Sequence, residues 1–298
     1  MKNVCLIIFL LLLISCSEKN SIDEMALQQS LDSLTMAPPE IDQESVSSVL
    51  QQIPSPLEIS MLLKQSGARY NSAVLNRPDN ISRYNTNYQK ALNLGIYGAD
   101  LGYANLFGEN IEGIRYLSAI KSLANDLNIG QFFNVSTISR LATNSNNLDS
   151  LLLVTTQNFN SINQHLQNQN RANQSVLLLV GGWIEAMTII CEVSSQNLNN
   201  RELIDRVGEQ KIVLEQLVLL LSFYKSDPNV AALFQDFGQL KAIFDSVRIT
   251  FTYVESSVEV INGVAVIKDN STSTIIITEK DVLNIKDKIN SIRTKIIN

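Results

Sequence analysis

The stretch QSVLLLVGGWIEAMTIICEVSSQ, Gln174 to Gln196, decides how this chain is read. Its first half is apolar on nearly every side, as expected of the central helix of a bundle rather than of a helix with one face in water. Two adjacent glycines, Gly181 and Gly182, interrupt it beside Trp183, the only tryptophan of the chain. Glycine weakens a helix by roughly 1 kcal/mol relative to alanine, so the pair predicts a kink or a close crossing by a neighbouring helix.

The flanking sequence reads as further helices. Leu148 to about Asn170 carries Leu151, Leu152, Phe159, Ile162 and Leu166 on one side. Asn200 to Lys225 and Pro228 to about Thr250 follow, parted by Asp227-Pro228. Upstream, Pro56 to Gly67 opens with proline and closes with glycine. A long periodic stretch runs from near Asp79 to about Phe107. Glu109 to Asn128 spaces Ile111, Ile114, Leu117, Ile120, Leu123 and Leu127 by threes and fours, with Gly130 beyond the end, and Ser136 to Asn144 reads as a short helix. Residues 250–278 change character. Valine, isoleucine and threonine dominate, Asn262-Gly263 offers a turn, and a small hairpin is expected. A terminal helix then starts at Thr278 or Glu279, with Val282, Ile285, Ile289, Ile292 and Ile296 in register. The expected fold is mainly α: a multi-helix bundle or helical-pair array over residues 55–298, with a small C-terminal β-hairpin and a terminal helix.

A second glycine-rich segment, Ala91 to Asn105, holds Gly95, Gly98 and Gly102 in a helical context, with Asp100 among apolar residues. Six of the eight tyrosines, Tyr70, Tyr84, Tyr88, Tyr97, Tyr103 and Tyr116, fall in this part of the chain. Two readings follow. One is tight packing, with the two glycine-rich helices making room for each other. The other is a ligand pocket walled by Tyr97, Tyr103 and Trp183, with Asp100, Asn105 and Glu185 as polar anchors. Gln157 to Gln174 is crowded with amides, which suit either a solvated face or a sugar.

The chain begins with Lys2, an apolar run Val4 to Ile14, and Leu13-Ile14-Ser15-Cys16. The run is too short to span a bilayer. It resembles the bacterial lipoprotein signal, which implies cleavage after residue 15, acylation of Cys16 and attachment to the membrane through those acyl chains. Ser17 to about Pro54 is polar and acidic, with Pro38-Pro39 at its middle. As a flexible coil this tether has a root-mean-square reach of about 35 Å. No aspartate follows Cys16, and by analogy with enterobacterial sorting the outer membrane is favoured, facing the periplasm or the cell surface.

Composition removes several function classes. Without residues 1–15 the chain keeps 22 of its 23 basic residues and all 29 acidic ones, a net charge of about −7, which argues against nucleic-acid binding. Cys191 is the one cysteine left after Cys5 is removed and Cys16 lipidated, and its apolar surroundings read as a buried, unreactive thiol. One histidine, His165, and one free cysteine do not furnish a zinc site, and no metal or other cofactor is expected. His165 sits in a polar helix face with no nucleophile elbow near it, and no catalytic residue is assigned. Glu185 and Glu192 share one helix face, about 10 Å apart along its axis. That spacing fits interhelical ion pairs or, as the less favoured alternative, a hydrolase carboxylate pair.

Residues Pro54 to Asn76, Ala91 to Leu106 and Gly181 to Glu185 together resemble a family of mainly helical Bacteroidota lipoproteins. The resemblance covers most of the chain after the leader and implies an exported helical body, but it transfers no active site. Asp32-Ser33-Leu34 and Asp149-Ser150-Leu151 are similar to the short O-glycosylation sequons of that phylum. The expected function is a membrane-anchored, non-enzymatic binding or scaffold module with a protein partner in the envelope, or alternatively a glycan- or peptide-binding pocket protein.

Overall fold

The computed structural model describes Val49, Leu63, Lys64 and residues 67–134, 148–261, 264–268 and 270–298, with the side chains of 148–156, 260, 261 and 264–268 outside that description. The leader, Cys16, the tether apart from Val49, Asp32, the side chain of Asp149, most of the helix expected from Pro56, the short helix expected at Ser136 to Asn144 and the turn expected at Asn262-Gly263 lie outside the described residues. In chain order come helices α1 (Asn87–Leu106), α2 (Asn110–Asp126), α3 (Leu148–Asn168), α4 (Ala172–Gln196), α5 (Arg201–Ser222) and α6 (Pro228–Phe244). Strands β1 (Arg248–Thr252), β2 (Ser257–Ile261), β3 (Val264–Lys268) and β4 (Thr272–Ile276) precede the terminal helix α7 (Glu279–Ile297). The fold is mainly helical, with a small antiparallel β arm and a C-terminal helix.

Helix α4 is the axis of the fold. By length and composition it is apolar enough to cross a membrane, yet most of it is buried inside the protein. Val180, Ile184, Met187, Ile190 and Cys191 are fully enclosed. Its glycines explain how α1 approaches so closely. A Cβ added at Gly95 would overlap the Leu178 carbonyl oxygen and lie 2.7 Å from the Gly182 nitrogen. A Cβ at Gly181 would overlap the Leu92 carbonyl oxygen. The two backbones thus touch where Leu92 to Gly95 of α1 meets Leu178 to Gly182 of α4. The two glycine-rich segments therefore pack on each other, as expected. Gly98 does not share in this, because nothing lies within 4 Å of its absent Cβ.

Local chemistry sets several boundaries differently from the periodic reading. Helix α1 starts at Asn87, not near Asp79. The Thr86 hydroxyl accepts from the Gln89 amide at 3.1 Å and the Gln89 side chain accepts from the Thr86 amide at 3.2 Å, a capping box that fixes the first turn. Pro78–Arg83 before it is a separate 3₁₀ turn. Helix α2 ends at Asp126, with Asn128 rather than Gly130 in the left-handed position at φ 56°. Its buried stripe is Gly113, Tyr116, Leu117, Ala119, Ile120, Leu123 and Ala124, while Ile111 and Ile114 are 80 % and 65 % exposed on the far side. Helix α6 stops at Phe244, because Arg248-Ile249-Thr250-Phe251-Thr252 is a run of strand formers.

The β arm is one long hairpin in two ladders. β1 pairs antiparallel with β4, Arg248 opposite Ile276 and Thr252 opposite Thr272. β2 pairs antiparallel with β3, Ser257 opposite Lys268 and Ile261 opposite Val264. The register shifts by one between the ladders, from Thr252 opposite Thr272 to Ser257 opposite Lys268, so the first strand carries one extra residue, as in a bulge. Asn270 bridges this interruption, donating to the Glu255 carbonyl at 2.9 Å and the Ser257 hydroxyl at 3.1 Å. The base of the arm packs on α5, where Gly208 leaves room for Ile275 and Ile277. Helix α7 opens with Thr278 in a capping box with Asp281 and buries Val282, Ile285, Ile289, Ile292 and Ile296, as its spacing predicts.

Candidate functional site

Around the crossing of α1 and α4 lies a buried polar cluster completed by α7 and by residues 69–84. Glu185 on α4 is wholly buried, and the Arg293 guanidinium from α7 grips it with two bonds, Nε to Oε2 at 2.5 Å and Nη2 to Oε1 at 2.6 Å. Arg293 Nη2 also donates to the Val74 carbonyl at 3.0 Å. Seven residues along α4, Glu192 pairs with Lys286 at 2.8 Å, and Lys286 also donates to the Ser195 hydroxyl at 2.8 Å. The equal seven-residue steps show that α4 and α7 run antiparallel with two matched ion pairs. The shared face of Glu185 and Glu192 is thus an interhelical one.

Asp100 on α1 is fully buried, and its Oδ2 accepts from the Asn76 amide at 3.3 Å. Burial, and then the neighbouring Glu185 carboxyl, raise the Asp100 pKa well above its ordinary value. Asp100 Oδ1 has no hydrogen-bond partner. Burial opposes the Arg293 charge, but Glu185, with Asp100, outweighs it and holds the guanidinium pKa above its usual range. Asp100, Glu185 and Arg293 thus stand in series, and burial favours the protonated form of Asp100.

Amides and tyrosines tie this core to residues 69–84. Asn76 Nδ2 donates to the Tyr84 hydroxyl at 2.9 Å and to Asn93 Oδ1 at 3.3 Å, and Asn80 donates to Asn76 Oδ1 at 2.8 Å. Asn93 in turn donates to the carbonyls of Gln89 at 3.0 Å and Ile296 at 3.1 Å, satisfying an acceptor in the last turn of α7. The Tyr97 hydroxyl donates to the Arg77 carbonyl at 3.0 Å, and the Tyr103 hydroxyl accepts from the Asn71 amide at 3.2 Å. Trp183 lies on the opposite side, donating to Gln210 at 3.0 Å with its ring 5.9 Å from Phe237.

All six residues singled out as pocket candidates lie in the interior. Tyr97, Asp100, Tyr103 and Glu185 are 0 % exposed, and Asn105 and Trp183 are 2 %. Asp100 and Glu185 meet directly, and Tyr97 and Tyr103 flank them along α1. Trp183 belongs to a separate contact with α5 and α6. Asn105 packs against α2, where a Cβ on Gly113 would sit 2.6 Å from its Oδ1, and neither atom of its amide has a hydrogen-bond partner. Sequence reasoning missed Arg293, Asn76 and Asn93. The match between the spacing of Lys286 and Arg293 and that of Glu185 and Glu192 was a usable signal for the first. Asn93, a lone amide between Leu92 and Leu94, was one for the last.

Elsewhere, Cys191 is a buried free thiol whose pKa burial pushes up to about 12. His165 is half-buried and packs edge-on against Phe132 at 5.1 Å. Among the described residues no three His, Cys, Asp or Glu side chains gather as a metal site would require. The molecule defined by this fold is a helical body with a sealed polar core and an exposed β arm. In comparison with known proteins, no family model matches the chain, and neither a curated protein nor a solved structure matches it.

Proposed function

We propose that this chain is a lipid-anchored, non-enzymatic module of the cell envelope, held by acyl chains on Cys16, whose folded body engages a protein partner through its β arm. The observation that supports this reading is the placement of exposed apolar side chains. Phe251, Tyr253, Val254, Val258 and Ile276, between 42 % and 73 % exposed, all lie on the arm, and five such residues on one small projection are the signature of a contact surface. The carboxylates of the core, by contrast, are tied to α7, an arrangement suited to holding helices together.

A second reading draws on Asn105 and on the Tyr70 hydroxyl, polar groups without partners in the interior. A small glycan or peptide meeting them would have to enter by displacing packed side chains. One experiment separates the two. A photo-reactive residue replacing Tyr253 in intact cells is expected to form adducts with a protein that Phe251→Ser abolishes. Adducts unaffected by Phe251→Ser but lost on Tyr103→Ala would overturn the arm in favour of the pocket. For the anchor, Cys16→Ala should move the protein from the membrane to the soluble fraction, and unchanged attachment would refute acylation at that residue.

A further inference from the structure

The two edges of the β1–β4 ribbon are treated differently. Arg201 of α5 donates to the carbonyls of Ile275 at 2.8 Å and Ile277 at 3.1 Å, so these alternate residues turn their backbone groups away from β1, and that edge is covered. By the same alternation Ile249, which stands opposite Ile275, and Phe251, two residues on, turn their N–H and C=O groups away from β4. Ser271 meets the N–H and C=O of Val254 on the β4 side, in keeping with this phase. Lys211 takes the Val247 carbonyl at 2.7 Å, just before the strand. Beyond it, among the described residues, no hydrogen bond covers the outward groups of Ile249 or Phe251. Among the described residues no proline, inward-pointing charge or covering helix protects this edge, devices that isolated β edges normally carry.

We propose that a second copy of this chain adds its own β1, antiparallel, to this edge, with the two-fold axis at Phe251. The proposal rests on the reading of the arm as a protein-binding surface and names its partner. The strand is self-complementary. Antiparallel pairing about Phe251 sets Ile249 against Tyr253 of the other copy, so Ile249, Phe251 and Tyr253 from both chains form one continuous apolar strip. On the other face Thr250 meets Thr252. In this register Arg248 of one copy stands opposite Val254 and one position from Glu255 of the other, so antiparallel copies place opposite charges near each other at both ends, whereas parallel pairing would bring like charges together. Phe251, at 66 % exposed, and Tyr253, at 73 %, pack against their counterparts along this strip and lose part of that exposure.

The test uses the full-length acylated protein in isolated membranes. Phe251→Cys is expected to give a disulfide-linked dimer on mild oxidation, because opposed residues of an antiparallel pair lie within disulfide range, about 4.4–6.8 Å between Cα atoms. Ile276→Cys, comparably exposed but on the covered strand, should cross-link at least tenfold less. Phe251→Pro removes the outward N–H without touching a bond to β4. It should abolish dimer recovered by a bifunctional amine cross-linker while leaving the circular-dichroism melting curve in place. Equal cross-linking at Ile276→Cys, or no dimer from Phe251→Cys, would overturn the proposal. If the photo-reactive residue at position 253 then captures a different protein, self-pairing fails alone. If it captures none, the reading of the arm fails with it.

Discussion

A single methyl group separates the two kinds of glycine in α1. At Gly95 a Cβ meets the backbone of α4, which cannot rotate away, and the helices must part. Gly95→Ala is therefore expected to cost about 1–3 kcal/mol or more in urea unfolding, the range for overpacked cores. Gly98→Ala meets nothing, lies on an exposed position and should gain up to about 1 kcal/mol from helix propensity. Equal effects at the two positions would contradict the crossing. Asp100 teaches a related lesson. Its apolar neighbours in the sequence signal burial and the need for a partner, but not that the partners would be another carboxyl and an arginine 193 positions later.

The terminal helix shows what local signals can fix. Its five buried positions and its Thr278 start follow from the period and from the Thr278–Asp281 capping box. Thr278→Ala removes the acceptor for the Asp281 amide and is expected to lower stability by about 1 kcal/mol in urea unfolding. An unchanged midpoint would mean that the cap is inert in the folded protein. Helix α2 shows the opposite case. Ile111 and Ile114 fit a three-four spacing, yet the buried stripe is set by which side α1 covers, and α1 approaches over Gly113. The arm was legible in its composition, but its extra residue and the edge that Arg201 of α5 caps were not.

For the molecule as a whole, the core makes a pH dependence of defined sign. The Asp100 pKa in the folded state lies above its ordinary 3.8, so the native protein binds more protons than the unfolded chain as pH rises past that value. The stability from neutral Asp100 is fully present below about 3.8 and is lost as pH rises through the folded pKa. Asp100→Asn keeps the neutral shape and a donor toward Glu185. Between pH 4 and 8 its unfolding free energy should fall less with pH than that of the wild type, and parallel curves would place the charge elsewhere. Asp236 and Glu192 act in the other direction. Burial opposes the Asp236 charge, but Lys288 and Lys295, each at 2.8 Å, outweigh it; Lys286 does the same for Glu192. Their pKa values are lowered, so what they add is present at neutral pH and lost in acid.

The sequence by itself determined the helical class, the central position of Gln174 to Gln196, the terminal helix and the hairpin, because periodicity, caps and turns act over a few residues. It also marked the two glycine segments as partners, since a glycine that weakens a helix calls for a close neighbour. Only the tertiary structure decided which glycines touch backbone, that Asp100 and Glu185 share one site with Arg293, and which strand edge stays open. Those outcomes depend on groups brought together from distant parts of the chain, and their charge states and exposure are properties of the packed arrangement.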